Sequence, residues 1–369
     1  MVYIFIIAVV PYLILALWLW RGWIMLSRFE IAGASVSVSV VIPMRNEDSN
    51  IGNLLLDIAG QHYSQELIQV VAVDDHSTDR SAAIVEKFAR EHPNVELLHL
   101  PEGKYGKKAA LRHALPHLTG TLTVTTDADC RATPRWLATI AAFYVTYHPN
   151  LIIGPVIFTY GRSFFSRWQA LELMSLTGSS AGAASWRRPV MCSGANLAME
   201  RNVMERYAYV YDSPPASGDD MMMMLEIRKD PDSRTFYLKS VGATVTTPPP
   251  PDLKSLIRQR NRWTSKSKAY TDFTVIMVAV IVFIANLSIL ACFIAGFFQP
   301  WLLCPAAILW LAKMSADWPF LNSLCRFWRM KRLMRIFIPA QLLYPFYVVW
   351  VGIAGNIAPV RWKDRKSNF

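Results

Sequence analysis

Acidic residues recur in this chain as close pairs, each beside an apolar stretch: Asp74-Asp75, Asp127 and Asp129 around Ala128, and Asp219-Asp220. Residues two apart on a strand point the same way, and two converging carboxylates repel unless a cation or protons intervene. A hard divalent ion such as Mg2+ or Mn2+ takes oxygen ligands and bridges protein carboxylate to diphosphate. Asp127 and Asp129 are therefore candidate metal ligands, although such a triplet taken alone is more often a solvated turn. Asp74 or Asp75 has the chemistry to accept hydrogen bonds from a nucleobase N–H. Its other reading is a cap for the helix opening at Ser77-Thr78-Asp79, a role Ser77 or Asp79 already fills. Gly106-Lys107-Lys108 opens a helix, where free N–H groups and the dipole favour an anion; Lys107 and Lys108 are either diphosphate contacts or a solvated face. Asp219-Asp220 precedes Met221 to Met224 and is either a helix cap or a general base that takes a proton from an attacking hydroxyl. In Gln259-Arg260-Asn261-Arg262-Trp263, an arginine suits phosphate oxygens and the tryptophan suits a sugar ring. A plain basic amphipathic helix is the alternative.

Taken as a set, these pieces resemble the family-2 glycosyltransferases with a GT-A type fold, in the membrane subgroup of cellulose, chitin and hyaluronan synthases and ceramide glucosyltransferase. The matching stretches are VSVVIPMRNE (38–47), VDDHSTD (73–79), GKKAAL (106–111), TDAD (126–129), SGAN (193–196), SGDD (217–220) and QRNRW (259–263). They run in the family's order across roughly one domain's length. The resemblance implies a nucleotide-sugar donor, with UDP as the expected nucleotide, bound by Pro43, Arg45, Asn46, Glu47, Asp74, Asp75, Lys107, Lys108, Asp127, Gln259 and Arg262. It implies Mg2+ or Mn2+ on Asp127 and Asp129, with Asp129 the closer ligand. Asp220 would be the catalytic base and Asp219 the acidic residue before it, while Gly194, Asn196 and Trp263 would meet the acceptor. The implied reaction is a single inverting displacement on the anomeric carbon, without a covalent glycosyl-enzyme.

The sequence departs from the family where His76 stands in place of a frequent Gly and Asp219 in place of a frequent Glu. The membrane part is also smaller than in the long-chain synthases. Transfer of one or a few sugars to a lipid, lipid-linked or glycan acceptor is therefore expected ahead of processive polysaccharide synthesis. A non-catalytic membrane scaffold with a relic nucleotide fold is the third reading, and retention of every acidic motif speaks against it.

Alternating strands and helices must position these residues. SVSVVIPM (36–43), LIQVVAVDD (67–75), VELLHL (95–100), TLTVTT (121–126) and LIIGPVIF (151–158) read as strands. Helices are expected from about Asp48, from Ser77, over 107–117 and from Thr133. That order predicts an α/β domain with a mainly parallel sheet, covered on both faces, over 36–250. Ligands bind beyond the carboxyl ends of such strands, and Arg45-Asn46-Glu47, Asp74-Asp75 and Asp127-Ala128-Asp129 all fall there. The stretch 160–250 is less regular, rich in small residues and Met. After Pro248 to Pro251, Asp252 caps an amphipathic helix carrying QRNRW within 251–270, suited to a membrane interface.

The chain has 369 residues, 53% hydrophobic, and a net charge of +11. Charge-free runs at 3–20, 273–312 and 336–360 are long enough to span a bilayer. The first, followed by Arg21 and Arg28 and lacking a cleavage pattern, reads as an uncleaved anchor (1–24) with the chain beyond it on the cytoplasmic side. The second has a break near Gly296 to Pro300. The third holds Pro339 and Pro345, and either forms a re-entrant or interfacial hairpin or crosses and leaves the basic tail (361–369) against the basic-flank rule. The C-terminal membrane region is thus 272–360. Basic clusters abut these runs, which argues against nucleic acid as a partner and for anionic lipid. An integral protein of a bacterial inner membrane, its catalytic domain cytoplasmic, is expected. The five cysteines show no pairing pattern. Lys313 and Asp317 share a helix face in an apolar stretch, either as a self-compensating pair or as a headgroup site.

Overall fold

The Ser-Val alternation gives way to a run in which nearly every residue is apolar, and β1 (Val38–Met44) is accordingly buried at six of its seven positions. A strand buried on both faces belongs inside a parallel sheet covered by helices. In the computed structural model, which describes residues 2–31, 33–214, 218–357, 361–362 and 365–366, β1 lies parallel between β2 (Ile68–Asp74) and β4 (Leu122–Thr125). The seven-stranded sheet runs β3 (Val95–His99), β2, β1, β4, β8 (Leu197–Glu200), β6 (Leu151–Ile153), β9 (Thr235–Tyr237), with β8 antiparallel to β4 and β6. A small second sheet joins β5 (Arg131–Ala132), β10 (Val245–Thr247) and β7 (Val156–Phe158).

Register decides which loops meet. Met44 pairs with Asp74, so the chain leaving β1 runs beside the chain leaving β2. Thr125 pairs with Leu197, so Gly194 to Asn196 arrive where β4 ends. The helices of this unit are α2 (Ile51–Ala59), α3 (Ser81–Glu91), α4 (Gly106–Ala114), α5 (Trp136–Tyr147), α7 (Arg201–Arg206), α8 (Tyr209–Asp212) and α9 (Asp219–Lys229). The core is continuous through Val40 and Ile42 of β1, Leu54 and Leu55 of α2, Val124 of β4 and Trp136 of α5. The fold is mixed α/β with a mostly parallel main sheet.

Two expectations need correcting. LIIGPVIF is not one strand: Gly154-Pro155 divides it, and β6 and β7 enter different sheets. The backbone N–H of Gly154 donates to Asn196 O, and a Cβ at Gly154 would lie 2.3 Å from the Asn196 side chain, so the crossing demands glycine. The stretch after Tyr160 is not irregular either. It opens with α6 (Phe164–Ser185), a 22-residue helix with Ser163 as its N-cap.

Residues 26–159 and 191–248 form one unit, and residues 1–25, 160–190 and 249–368 the other. The second comprises α1 (Val2–Met25), α6, α10 (Leu253–Ser265), α11 (Phe273–Gly296), α12 (Leu303–Phe327) and α13 (Phe337–Ile357). Small residues of α6 let α1 come close, since a Cβ on Gly182 would lie 2.3 Å from Leu19 O. Three helical stretches are long and apolar enough to cross a membrane: Ile7–Met25, Phe273–Gly296 and Lys331–Gly355. The run from 337 is a single helix, not a hairpin, with Pro345 inside it. Ser217 and, in the basic tail, residues 363–364 and 367–369 lie outside the described residues.

Candidate active site

The loop after β1 is knitted to the loop after β2. Arg45 Nη1 donates to the carbonyls of Asp75 (2.7 Å) and His76 (3.2 Å) and lies 4.0 Å from the Asp75 carboxylate. Asn46 N–H donates to Ser77 Oγ, and Asn46 Oδ1 accepts from Thr78 N–H. Glu47 N–H donates to Ser81 Oγ, and the Glu47 carboxylate accepts from Asn50. Asp74 and Asp75 are both buried and serve different neighbours. Asp74 accepts from Ser77 N–H and lies 3.5 Å from His99, while Asp75 accepts from Gly106 N–H at the start of α4. Pro43 occupies the penultimate position of β1, opposite Val73. His76 and Asn46 both take positive φ, +53° and +51°. Asparagine tolerates this region and histidine less so, and glycine would take it without strain.

Asp127 and Asp129 lie just past β4 in a turn closed by Cys130 N–H to Asp127 O, not on the strand itself. Strand alternation therefore does not orient them; the turn does. Burial, with Asp127 and Asp129 beside it, pushes the Cys130 thiol well above its ordinary range. The deciding contact is Lys107 Nζ to Asp127 Oδ1, 2.5 Å. Burial alone would lower Lys107, but Asp127, Asp219 and Asp220 outweigh it and hold the ammonium above the ordinary lysine range. Carboxylates from two distant stretches thus gather about one lysine.

Gly194 stands at the centre of that arrangement. Its N–H donates to Asp220 Oδ2 (3.0 Å) and its carbonyl accepts from Thr125 Oγ1. A Cβ there would lie 2.8 Å from Lys107 Nζ and 3.4 Å from Asp219 Oδ2. The second Asp220 oxygen accepts from Met221 N–H. Gly218, at φ +95°, turns the chain into α9 so that Asp219 and Asp220 open the helix.

The structure separates residues that the motifs treated alike. Lys108 is buried and donates to Ser213 O (2.8 Å), away from Asp127, because adjacent helical residues point about 100° apart. Asn196 is also buried: its oxygen accepts from Trp136 Nε1, and its NH2 donates to Pro155 O and Ala243 O. Gln259, Arg262 and Trp263 lie on α10, in the helical unit, whose N-cap is Asp252. There Arg260, which motif reading passed over, is buried, donates to Gln259 Oε1 and stacks 4.2 Å over Trp263. Its anchor is Glu172 of α6, shared with Tyr347 of α13. Only spacing marked Arg260 in the sequence, as one basic residue among several.

Among the described residues no three His, Cys, Asp or Glu side chains form a protein-only metal cage. Mg2+ and Mn2+ need none, since one or two carboxylates plus substrate phosphates suffice. Asp127 and Asp129 fit that mode.

The sequence model described as glycosyl transferase family 2 matches residues 39–207. Over those residues the chain is similar to the family-2 glycosyltransferases. Among similar curated proteins, a probable glycosyltransferase, YdaM of Bacillus subtilis, is 22% identical over 234 residues, 61% of this chain and 54% of that protein. The undecaprenyl-phosphate 4-deoxy-4-formamido-L-arabinose transferase of Edwardsiella ictaluri is 35% identical over 103 residues, 26% of this chain and 30% of that one. The chain thus spans about half the length of the first and under a third of the second. Among solved structures, the mannosyltransferase PcManGT of Pyrobaculum calidifontis, in complex with GDP-Man and Mn2+, matches with a TM-score of 0.56. It is 18% identical, with 94% of this chain and 99% of that one covered. The likeness shows a shared GT-A fold.

Proposed function

We propose that the chain is a membrane-bound, metal-dependent inverting glycosyltransferase that moves a sugar from a nucleoside diphosphate donor, UDP first among them, to a lipid or lipid-linked acceptor. The observation that carries this reading is the gathering of Asp127, Asp219 and Asp220 about Lys107 beyond the carboxyl end of β4. Scaffolding does not call for three carboxylates around one cation at a strand end, whereas phosphoryl-leaving-group chemistry does. Asp220, held by two backbone N–H donors, would take the proton from the acceptor hydroxyl as it attacks the anomeric carbon. Lys107 would neutralise diphosphate oxygens, and the Asp74-Asp75 turn braced by Arg45 would receive the nucleoside. A Mg2+ or Mn2+ on Asp127 and Asp129 would stabilise the charge on the departing diphosphate. The undecaprenyl-phosphate acceptor named for one relative and the three helices long enough to cross a membrane support a lipid acceptor. The basic flank Arg21 and Arg28 after the first apolar run supports a sugar-transfer site on the cytoplasmic side.

The test is transfer by the purified full chain in detergent, with Mg2+ or Mn2+, labelled UDP- and GDP-sugars and a membrane lipid extract. Label is expected in short, organic-soluble products. Asp220→Asn is expected to cut turnover about 10^3-fold while nucleotide affinity holds within a few fold; retained turnover removes Asp220 from the base role. High-mass insoluble product would make the protein a processive synthase, and no transfer from any donor would leave only the scaffold.

A further inference from the structure

We propose that Lys107 is a tethered stand-in for the divalent ion: it holds the metal position at Asp127 until a nucleoside diphosphate draws it away, so that metal and nucleotide bind together and only weakly apart. This rests on the reading of Asp127 as a metal ligand.

The geometry carries the idea. Lys107 Nζ is 2.5 Å from Asp127 Oδ1. Gly194 brings the backbone to the same spot, for a Cβ there would meet Lys107 Nζ at 2.8 Å and Asp219 Oδ2 at 3.4 Å. Asp219 therefore reaches the neighbourhood of the ammonium, and Asp220 is tied to Gly194 N–H beside it. Carboxylates brought this close need a cation between them, and in this arrangement the protein supplies one of its own.

The contact is nonetheless open to exchange. The Lys107 side chain keeps 22% of its exposure and that of Asp127 41%, so water and solute reach the pair. Lys107 is half-buried on the first turn of α4, and its flexible four-carbon stem lets the ammonium move to another anion within reach. A divalent ion arriving alone would have to share Asp127 with an ammonium that repels it. A diphosphate arriving with the ion offers Lys107 new anionic partners and gives the metal its remaining oxygen ligands. Each ligand then removes the obstacle to the other, and by linkage the gain in affinity is the same in both directions. Lys108 takes no part, because it is bound to Ser213 O.

The experiment is a Mn2+ titration of the purified full chain in detergent, reading the free hexaaquo ion by electron paramagnetic resonance, with and without UDP or GDP. Wild-type protein is expected to bind Mn2+ at least about tenfold more tightly when a nucleoside diphosphate is present. Lys107→Met is expected to bind Mn2+ alone about tenfold more tightly than wild type and to lose most of the coupling. Lys107→Gln, which keeps a donor for Asp127 without the charge, carries the same expectation if the methionine variant does not fold. Lys107→Arg, which keeps the cation, is expected to stay near wild type. Nucleotide-free affinity within twofold of wild type in both uncharged variants overturns the inference while sparing the metal assignment. Wild-type protein binding Mn2+ equally well with and without nucleotide overturns it too. Failure of every variant and of wild type to bind Mn2+ with any nucleoside diphosphate removes Asp127 and Asp129 as metal ligands, and the inference with them.

Discussion

His76 shows how much a single backbone angle constrains. At φ +53° a residue with a Cβ pays roughly 1–2 kcal/mol relative to its right-handed alternatives. The histidine recovers part of this through Nε2, 3.1 Å from Lys104 O, and through its ring, 5.0 Å from that of Tyr105. Alanine would keep the strain and lose both contacts, whereas glycine would lose the contacts and the strain together. His76→Gly is therefore expected to be more stable than His76→Ala by about 1 kcal/mol in thermal or denaturant unfolding. Equal stability of the two would mean the backbone at 76 relaxes and is not held by Arg45. At this scale Asp74-Asp75 and Asp127/Asp129 were legible because each follows an apolar strand, and a strand end in a parallel sheet is where ligands meet; Asp219-Asp220 instead opens a helix. What each side chain touches was not. Lys107 and Lys108 look equivalent in a string of letters, yet one turns to Asp127 and the other to Ser213. Arg45 likewise reads as a donor contact, and its guanidinium braces the Asp75-His76 turn through both carbonyls.

Among elements, the parallel strands β1 to β4 and the helices between them could be read from hydrophobic runs and capping residues. Those signals are local, and the register then follows from packing. The segment 151–158 could not, because one apolar run serves two sheets and only Asn196, over forty residues away, marks the division. Its buried amide receives Trp136 Nε1–H and donates to Pro155 O and Ala243 O. Pro155 O keeps a second donor in Val245 N–H, so Asn196→Ala would strand mainly the indole N–H and the Ala243 carbonyl. At 1–3 kcal/mol for each orphaned buried group, the loss is expected to be about 2–6 kcal/mol. Unfolding of the full chain in detergent measures it; a loss under about 1 kcal/mol would show that water replaces the amide and that the β6–β7 division does not depend on it. The helix α6 was missed for a related reason. Its small residues carry no amphipathic period, and they make sense only once α1 packs on them.

Across the whole chain, apolar runs announced membrane-sized helices but left their number and continuity open, and charges inside an apolar stretch proved the better guide to how the helical unit is built. Lys313 is fully buried on α12, donating to Asp317 (2.7 Å) and to Gln341 of α13 (2.7 Å). Tyr12 of α1 donates to the other Asp317 oxygen (2.7 Å), and the rings of Tyr12 and Tyr344 lie 5.2 and 4.7 Å from the ammonium. Three helices therefore share one neutral cluster, which favours the self-compensating pair over a headgroup site. Removing one member is costly because its partner stays buried and charged, while removing both leaves no buried charge and strands only the neutral Tyr12 hydroxyl and Gln341 oxygen. Lys313→Met alone is expected to destabilise the detergent-solubilised protein by about 3–5 kcal/mol. The double variant Lys313→Met/Asp317→Leu should recover most of that loss, giving a strongly favourable coupling in a double-mutant cycle. Thermal melts of the single and double variants decide the matter. If the two single losses simply add in the double variant, the charges act independently, and some group other than each other neutralises them.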